Sequence, residues 1–469
     1  MTLTRREFLR QTGSCLGSLL GATAFAAGVQ RFSLINALAQ GLDYRALVCV
    51  FLAGGNDGNN TIVPATTTEY DAYAAARNAP GLAIARDALL PVTPPALAAT
   101  FGLHPSLAEL HTLWSNKRMS VVCNVGPLVQ PLTREQYRAG APRPYQLFSH
   151  SDQIAQWQTA VADRVGQTGW GGRTADRFAA HASGFPMITA LSGGLFTRGV
   201  ASSPLSIAAA PTALDQVLVL NGFGTAADEM ARRKAMDAIR SLDADAALVR
   251  SASQTTQQAI DIGRMLSADV TLATPFPNTT LGNQLKQVAK VIRFNQTTPG
   301  LGLMRQIFFC QLGGFDTHQN QVGNQSSLLA QVSQAVKAFS DATMELGLDR
   351  QITAFTLSDF GRTLQPAGSG AGVVGSDHAW GNHHFVVGGA VRGGDFYGVA
   401  GPSGSLFPVL QLGGPSDTDT RGRWIPTVSV EQYAATLASW YGVSPADLPL
   451  VFPNLGRFEA PDLGFMAQP

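Results

Sequence analysis

Four short polar motifs hold most of the side chains with which this sequence could perform chemistry. Each motif contains an aspartate, and the chain's eight histidines include three in the last motif. Carboxylate oxygens and imidazole nitrogens together suit divalent ions such as Zn, Mn or Mg. The motifs therefore predict a metal or anion site, and the alternative is that they are ordinary polar turns. They are Gly54-Gly55-Asn56-Asp57, Gly313-Gly314-Phe315-Asp316-Thr317-His318, Ser358-Asp359-Phe360-Gly361-Arg362 and Asp377-His378-Ala379-Trp380-Gly381-Asn382-His383-His384.

Each motif adjoins a predicted buried strand. Continuous apolar runs of this length are typical of strands that are covered on both faces. In an open α/β sheet, ligands bind outside the carboxyl ends of the strands, so motifs that follow different strands can converge. Three of the motifs follow a predicted strand, and the fourth precedes one. The predicted strands are Ala46–Leu52, Ser120–Val125, Met187–Leu191, Gln306–Leu312, Gln351–Leu357 and Phe385–Val391.

Helical patterns alternate with these strands. Apolar residues recur at helical spacing in Leu281–Ile292 and Ser327–Leu346, and a capping box at Ser429 predicts a helix that ends at Tyr441. The alternation predicts an α/β fold with a mostly parallel central sheet and helices on both faces. Residues 200–278 are predicted to form a helical insertion or cap, and the Gly/Ser-rich residues 364–376 a loop that is a linker or a mobile cover.

The N-terminus has the form of a twin-arginine export signal. Thr4-Arg5-Arg6-Glu7-Phe8-Leu9-Arg10 precedes a weakly apolar stretch, and Ala37-Leu38-Ala39 is the favoured cleavage site. Residues 1–39 are therefore predicted to be a signal peptide and residues 40–469 the mature domain. The chain is expected to meet the export machinery and to act in the periplasm or elsewhere outside the cytoplasm. The alternative is an ordinary basic N-terminus, and the sequence leaves cleavage open.

Charge and hydropathy exclude two classes of partner. Without the four arginines and one glutamate of residues 1–39, the chain has 29 basic and 31 acidic residues, a net charge of −2. This balance gives no basic field for nucleic acid. After the signal, no segment is long and apolar enough to predict a stable membrane span.

The four motifs resemble those of DUF1501, a family of exported bacterial proteins of unknown function, over nearly the whole mature chain. That family resembles the alkaline phosphatase and sulfatase superfamily, which implies an alkaline phosphatase-like fold and a divalent metal centre. By this resemblance, the metal ligands would be residues of all four motifs. They are Asp57, Asp316, His318, Asp359 and His378.

Two departures from the superfamily pattern concern these ligands. Phe360 follows Asp359 where the superfamily often has a histidine, and one residue rather than three separates Asp316 from His318. Either His383 or His384 could replace the missing ligand, or one metal could suffice.

The resemblance places a nucleophile at a helix start after the second strand. Ser149 is the first candidate and Ser151 the second, since metal coordination would activate a hydroxyl. Either serine could instead cap the helix that begins near Asp152. Arg362 is a candidate clamp for a phosphate or sulfate group, or else a structural residue that pairs with an acid or caps a helix.

These features predict an exported metal-dependent hydrolase of phosphate or sulfate esters, acting on small anionic esters with Zn, Mn, Mg or Ca as cofactor. The alternative is a non-catalytic metal- or ligand-binding protein that retains the hydrolase fold. A serine hydrolase of the Gly-x-Ser-x-Gly type is disfavoured because neither Ser149 nor Ser151 lies in that motif. A formylglycine sulfatase is disfavoured because the cysteines and Ser149 lack its Pro/Ala and Arg neighbours.

Overall fold

A mostly parallel β-sheet forms the centre of the protein. The computed structural model describes residues 43–467 apart from 98, 180–182, 220–221, 243–244, 267, 299–300 and 371–372. The predicted signal peptide lies outside the described residues. The strands are β1 Arg45–Leu52, β2 Ile62–Pro64, β3 Leu90–Val92, β4 Phe101–Leu103, β5 Met119–Gly126, β6 Ile188–Ala190, β7 Leu205–Ser206, β8 Arg305–Leu312, β9 Ile352–Ser358, β10 Arg362–Ala367, β11 Gly375–His378, β12 Asn382–Val387, β13 Phe396–Tyr397 and β14 Val428–Ser429.

The central sheet has the strand order β13-β5-β12-β9-β1-β8-β6-β7, and β14 also pairs with β5. Strand β12 is antiparallel to both of its neighbours, and the other pairings within this sheet are parallel. The prediction of an α/β fold with a mostly parallel sheet is confirmed. Because β1 lies between β8 and β9 and parallel to both, the loops that follow these three strands leave the same edge of the sheet.

Helices cover both faces of the sheet. Val48 and Val50 of β1 pack in one hydrophobic cluster and Cys49 and Phe51 in another, as the alternation of side chains along a strand requires. The α-helices are α1 Gly58–Thr61, α2 Thr67–Arg77, α3 Ala108–Ser115, α4 Arg134–Arg138, α5 His150–Thr159, α6 Trp170–Ala175, α7 Ala227–Ser241, α8 Ala247–Met265, α9 Thr280–Thr297, α10 Gln321–Glu345, α11 Val430–Tyr441 and α12 Leu448–Val451. The first cluster packs against α9 and α10, and the second against α5 and α11.

Two predicted elements have different bounds in the structure. The last predicted strand is Phe385–Val391, but the observed strand β12 begins earlier, at Asn382. The residues before Phe385 are polar and show no apolar pattern, yet they pair with β5. The prediction of a loop over residues 364–376 is wrong for the residues at both ends of that range. Residues there form the antiparallel hairpin β10–β11, in which Pro366 pairs with Ser376. The hairpin places its last residue, His378, beside the loops that follow β8 and β9.

The segment predicted to be an insertion contains α7 and α8. Ile262 is the only residue of these two helices that is buried among those the structure describes. Within the described part of the chain, no helix combines the length and apolar character that crossing a membrane requires.

Candidate metal centre

Three histidines and one aspartate from separate elements meet at one point. His150 is the first residue of α5, and His378 is the last residue of β11. Asp316 and His318 lie in the loop that follows β8. The parallel packing of β8 and β9 on β1 brings this loop beside Asp359, which directly follows β9. The sheet edge therefore assembles side chains that are more than two hundred positions apart in sequence.

The side-chain atoms at this point form two adjoining triangles. His150 Nε2 lies 3.1 Å from His378 Nε2 and 3.4 Å from Asp316 Oδ1. His318 Nε2 lies 3.0 Å from His378 Nε2 and 3.1 Å from Asp316 Oδ1. The shared edge, from His378 Nε2 to Asp316 Oδ1, is 3.6 Å. Ligand atoms about 2.0–2.1 Å from a tetrahedral zinc ion are roughly 3.3 Å apart, so these separations suit a cation.

The other ring nitrogen of each histidine faces an oxygen. His150 Nδ1 lies 2.7 Å from Asp359 Oδ2, and His318 Nδ1 lies 3.2 Å from Asp377 Oδ1. His378 Nδ1 lies 2.7 Å from the Phe148 carbonyl oxygen. Carboxylate and carbonyl oxygens only accept hydrogen bonds, so each Nδ1 carries the proton and donates it. In the neutral ring, the lone pair is then on Nε2.

This arrangement fits a metal better than it fits the histidines alone. His378 Nε2 has a single lone pair, which faces the Nε2 atoms of both His150 and His318 and a carboxylate oxygen. If one proton were added to His150 or to His318, that ring could donate to His378 Nε2. The Nε2 atom of the other ring would still face His378 with two opposed lone pairs. A divalent cation would satisfy His150, His378 and Asp316, whose ligand atoms all lie within 4.8 Å of one another. Oxygen acceptors on Nδ1 are the usual outer partners of histidines that ligate metals.

Asp316 is held in place by Arg362. Arg362 donates from Nη2 to Asp316 Oδ1 at 2.5 Å, and its side chain is fully buried. Partial burial favours a higher pKa for Asp316, but the hydrogen bond and charge of Arg362 outweigh it and the pKa is lowered. The remaining donors of Arg362 reach the carbonyl oxygens of Gly54, Gly55, Phe315 and Ser376 and His318 Nε2. With its donors committed to protein acceptors, Arg362 positions Asp316.

The two best-placed histidines have opposite pKa shifts. The hydrogen bond to Asp359 raises the pKa of His150 against a smaller opposing effect of burial. Burial lowers the pKa of His378, and the nearby Arg362 adds to the shift. His378 is therefore neutral and available as a ligand, while His150 carries any additional proton when no cation is bound.

Phe360 forms the apolar floor of the centre. Its ring centroid lies 4.7 Å from that of His150 and 4.7 Å from that of His378, and the residue is fully buried. The position at which the superfamily often has a histidine thus packs against the ligands here. The Phe360 ring thus packs against both imidazole rings and offers no ligand atom.

Asp57 is not among the residues brought together. Its carboxylate binds Arg77 Nη1 at 2.6 Å and Gln321 Nε2 at 2.5 Å, and it accepts the Asn59 backbone N–H at the start of α1. Both side chains of the Asp57–Arg77 pair are fully buried. This carboxylate closes a structural ion pair, and the structure offers no contact between it and the histidines described above.

His383 and His384 also lie apart from the centre, in β12 inside the core. The His383 ring stacks on Phe407 at 4.3 Å, and the His384 ring lies 4.7 Å from that of Trp157. Burial lowers the pKa of each to about 3, so both are neutral. Because β12 starts at Asn382, these two side chains belong to the sheet. They do not supply the histidine ligand that is missing at position 360.

Ser149 occupies the N-cap position of α5 but does not cap it. Its hydroxyl donates to Asp152 Oδ2 at 2.6 Å, and Ser151 Oγ lies 3.2 Å from Ser149 Oγ. Ser149 is flanked by Phe148, whose carbonyl holds His378, and by His150. The serine is thus the chain neighbour of two residues that contribute atoms to the centre, and its hydroxyl is bonded to a carboxylate.

The sequence predicts Asp359 as a ligand and does not point to His150 or Asp377, which the structure places beside the converging atoms. Asp359 accepts the His150 Nδ1–H and the Gly54 N–H, so it orients a ligand. The available signal for His150 was its position beside Ser149 at a helix start. Asp377 stood next to His378 in a motif, but no sequence pattern shows that it reaches His318.

Comparisons with known proteins identify one family. A family model described as "Protein of unknown function (DUF1501)" matches residues 44–405. No curated protein matches the chain.

Several solved structures show weak likeness. The crystal structure of Ps i-CgsB in complex with k-i-k-neocarrahexaose is 9% identical, with 89% of this chain and 77% of that chain covered and a TM-score of 0.33. The C-terminal periplasmic domain of EcEptC from Escherichia coli, in complex with Zn, is 10% identical (74% and 73% covered, TM-score 0.27). The PsFucS1 sulfatase from Pseudoalteromonas sp. is 8% identical (78% and 68% covered, TM-score 0.29). Likeness at these scores decides nothing about activity.

Proposed function

This chain belongs to the DUF1501 family, and from that premise we propose that it is an exported metal-dependent hydrolase of phosphate or sulfate esters. The observation that carries the proposal is the convergence of three imidazole Nε2 atoms and Asp316 Oδ1, with every Nδ1 committed to an oxygen. The chemistry of this donor set supports a cation between the rings.

The proposed ligands are His150, His378 and Asp316, with His318 on the adjoining triangle. Imidazole-rich sites suit Zn, whereas Mg, Ca and Mn prefer oxygen ligands. A cation held by His150, His378 and Asp316 alone would keep a coordination position open, as in catalytic sites. A bound ion would polarise an ester oxygen and stabilise the charge that develops on the transferred group.

Ser149 is the proposed nucleophile and Asp152 its base. The hydroxyl proton of Ser149 already lies on the hydrogen bond to Asp152 Oδ2, which can receive it as Oγ attacks. Oγ forms a bond to the phosphorus or sulfur atom as the bond to the ester oxygen breaks, and the proton on Asp152 passes to the departing oxygen, which leaves as the alcohol. Asp152 then takes a proton from water as the water oxygen attacks phosphorus or sulfur, and the Oγ bond breaks, so that the anion is released and the serine regains a proton. The start of α5, a helix of ten residues, stabilises negative charge at this position.

A non-catalytic metal-binding role is the second candidate. It is favoured by the Ser149 hydroxyl, which is bonded to Asp152 rather than to a histidine, and by Arg362, whose donors leave none for a substrate anion. Loss of metal-dependent turnover in Ser149→Ala would separate the two functions, because this substitution removes only the nucleophile.

The test combines metal content with turnover of the mature protein. We expect about one bound divalent ion per chain by elemental analysis, and turnover of 4-nitrophenyl phosphate or sulfate that chelator abolishes. Asp316→Asn should lose both, while Asp341→Asn, in a half-buried pair with Lys337 on α10, should keep both. A metal-free protein, or turnover that survives in Asp316→Asn, would refute the proposal.

We also propose export through the twin-arginine pathway, on the strength of residues 4–10. The proposed ligands lie in segments that are far apart in sequence and meet only in the folded chain. A pathway that carries folded proteins therefore allows the metal to be bound before export.

A further inference from the structure

A rigid loop beside the proposed centre presents two arginines. Residues 413–424 are organised by Asp417, whose fully buried carboxylate accepts four backbone N–H groups. The loop is also hydrogen-bonded to the β10–β11 hairpin, since Leu364 N and Gln365 N donate to loop carbonyls at 3.2 and 3.0 Å. The four donors to Asp417 are Gly413, Asp419, Gly422 and Arg423, at 2.9–3.2 Å.

Arg421 extends from this loop to the outer partner of His318. Its Nη2 donates to Asp377 Oδ2 at 2.6 Å, and Asp377 Oδ1 accepts from His318 Nδ1 at 3.2 Å. The Arg421 side chain is 33% exposed. Its Nε and Nη1 groups have no protein acceptor among the described residues.

Arg423 borders the same side of the centre. Its Nε donates to the His378 carbonyl oxygen at 3.0 Å, and its guanidinium carbon lies 4.6 Å from the centroid of the Phe148 ring. Nη1 donates to Asp419 at 3.0 Å. Within the described residues Nη2 has no acceptor, and the side chain is 21% exposed. Each guanidinium is therefore fixed by protein acceptors on one edge. Its other edge has no protein acceptor among the described residues.

The hydrogen bonds hold neither arginine at the ligand atoms themselves, since Arg423 bonds the backbone carbonyl oxygen of His378 and Arg421 bonds Asp377. Asp377 and the His318 ring separate Arg421 from the centre, a path of roughly 10 Å through two hydrogen bonds. Arg362, the guanidinium that does border the ligand atoms, is buried and committed to protein acceptors. The open guanidinium edges are thus positioned for an oxyanion that lies further along the substrate than the reacting ester.

We propose that Arg421 and Arg423 bind a second anionic group, so the substrate carries at least two, one at the centre and one at this pair. The inference rests on the proposed function, which places the reacting ester at the metal. Guanidinium groups bind phosphate and sulfate alike. The shared chemistry is a second phosphate or sulfate group on the same molecule.

A length series of bis-anions tests this on the mature protein loaded with Zn. The probes are alkane-α,ω-diol bisphosphates and bissulfates from propane to octane, each compared with its monoester by calorimetry. We expect the best bisphosphate or bissulfate to bind about tenfold more tightly than its monoester, with an optimum length. Arg421→Gln and Arg423→Gln should each remove most of that preference, measured for each variant as the ratio of its own bis-anion and monoester affinities. Arg264→Gln, at an exposed position on α8, is the matched control.

The outcomes separate the inference from the proposed function. If the protein binds monoesters but binds no bis-anion more tightly than the twofold statistical factor allows, at any length, the inference is overturned and the proposed function is not. A preference that persists in both variants would also overturn it. If the loaded protein binds neither monoesters nor bis-anions, the proposed function fails as well. Should a variant not fold, the length dependence of the parent protein decides, because a flat profile contradicts a fixed second site.

Discussion

The ion pair between Asp57 and Arg77 lies at a fully buried position and joins α2 to β10, since Arg77 also donates to the Leu364 and Thr363 carbonyl oxygens. Asp57→Asn keeps the volume but leaves the guanidinium charge without its partner. We expect the free energy of unfolding to fall by about 3–5 kcal/mol. Urea titration measures this loss, and elemental analysis should find the metal content of the folded variant unchanged.

Asp228→Asn is the control for this substitution, because Asp228 forms an exposed pair with Arg232. Its urea midpoint should match that of the parent protein. If Asp57→Asn instead keeps its stability and loses the metal, Asp57 is a ligand and the centre described above is incomplete.

The elements themselves were largely predictable, because β1, β8 and β9 are continuous apolar runs and the capping box at Ser429 is visible in the sequence. The start of β12 was not, since Asn382 and the two following histidines carry no apolar pattern. The β10–β11 hairpin was hidden for the same reason. Its strands are defined by pairing with each other, and a Gly-rich turn between them resembles an open loop.

The site was less predictable than the fold. Convergence of Asp316, His318 and His378 could be expected from strand ends, but the choice between ligand and orienting residue depends on which oxygen faces which nitrogen. Asp359 and Asp57 both follow strands and look alike in sequence. One contacts His150 and the other Arg77, and only the tertiary packing decides between these contacts.

Helix α11 carries a buried titratable group, Glu431, which makes its packing pH-dependent. Burial raises the Glu431 pKa from 4.5 to about 8. Between these values the unfolded carboxyl loses its proton while the folded one keeps it, so stability falls as pH rises, by about 1.4 kcal/mol per pH unit. Below pH 4.5 both states are protonated and the contribution is fully present.

Glu431→Gln removes this dependence. We expect the stability of the variant relative to the parent to increase steadily between pH 5 and pH 8, measured by urea unfolding at several pH values. Glu459→Gln, at an exposed position, should run parallel to the parent. Parallel curves for Glu431→Gln as well would show that this carboxyl has the same pKa in the folded and unfolded chain.

At the scale of the whole molecule, the proposed metal would join elements from distant parts of the sequence: α5, the loop after β8, and the end of the β10–β11 hairpin. The unfolded chain cannot hold these ligands together, so binding free energy adds to the stability of the folded state. A free ion at about one hundred times its dissociation constant contributes roughly 2.7 kcal/mol. We expect Zn²⁺ to raise the thermal midpoint of the metal-depleted mature protein by a few degrees and with a logarithmic dependence on concentration. Asp316→Asn should show no such rise, and a rise of equal size in that variant would place the stabilising ion at some other site.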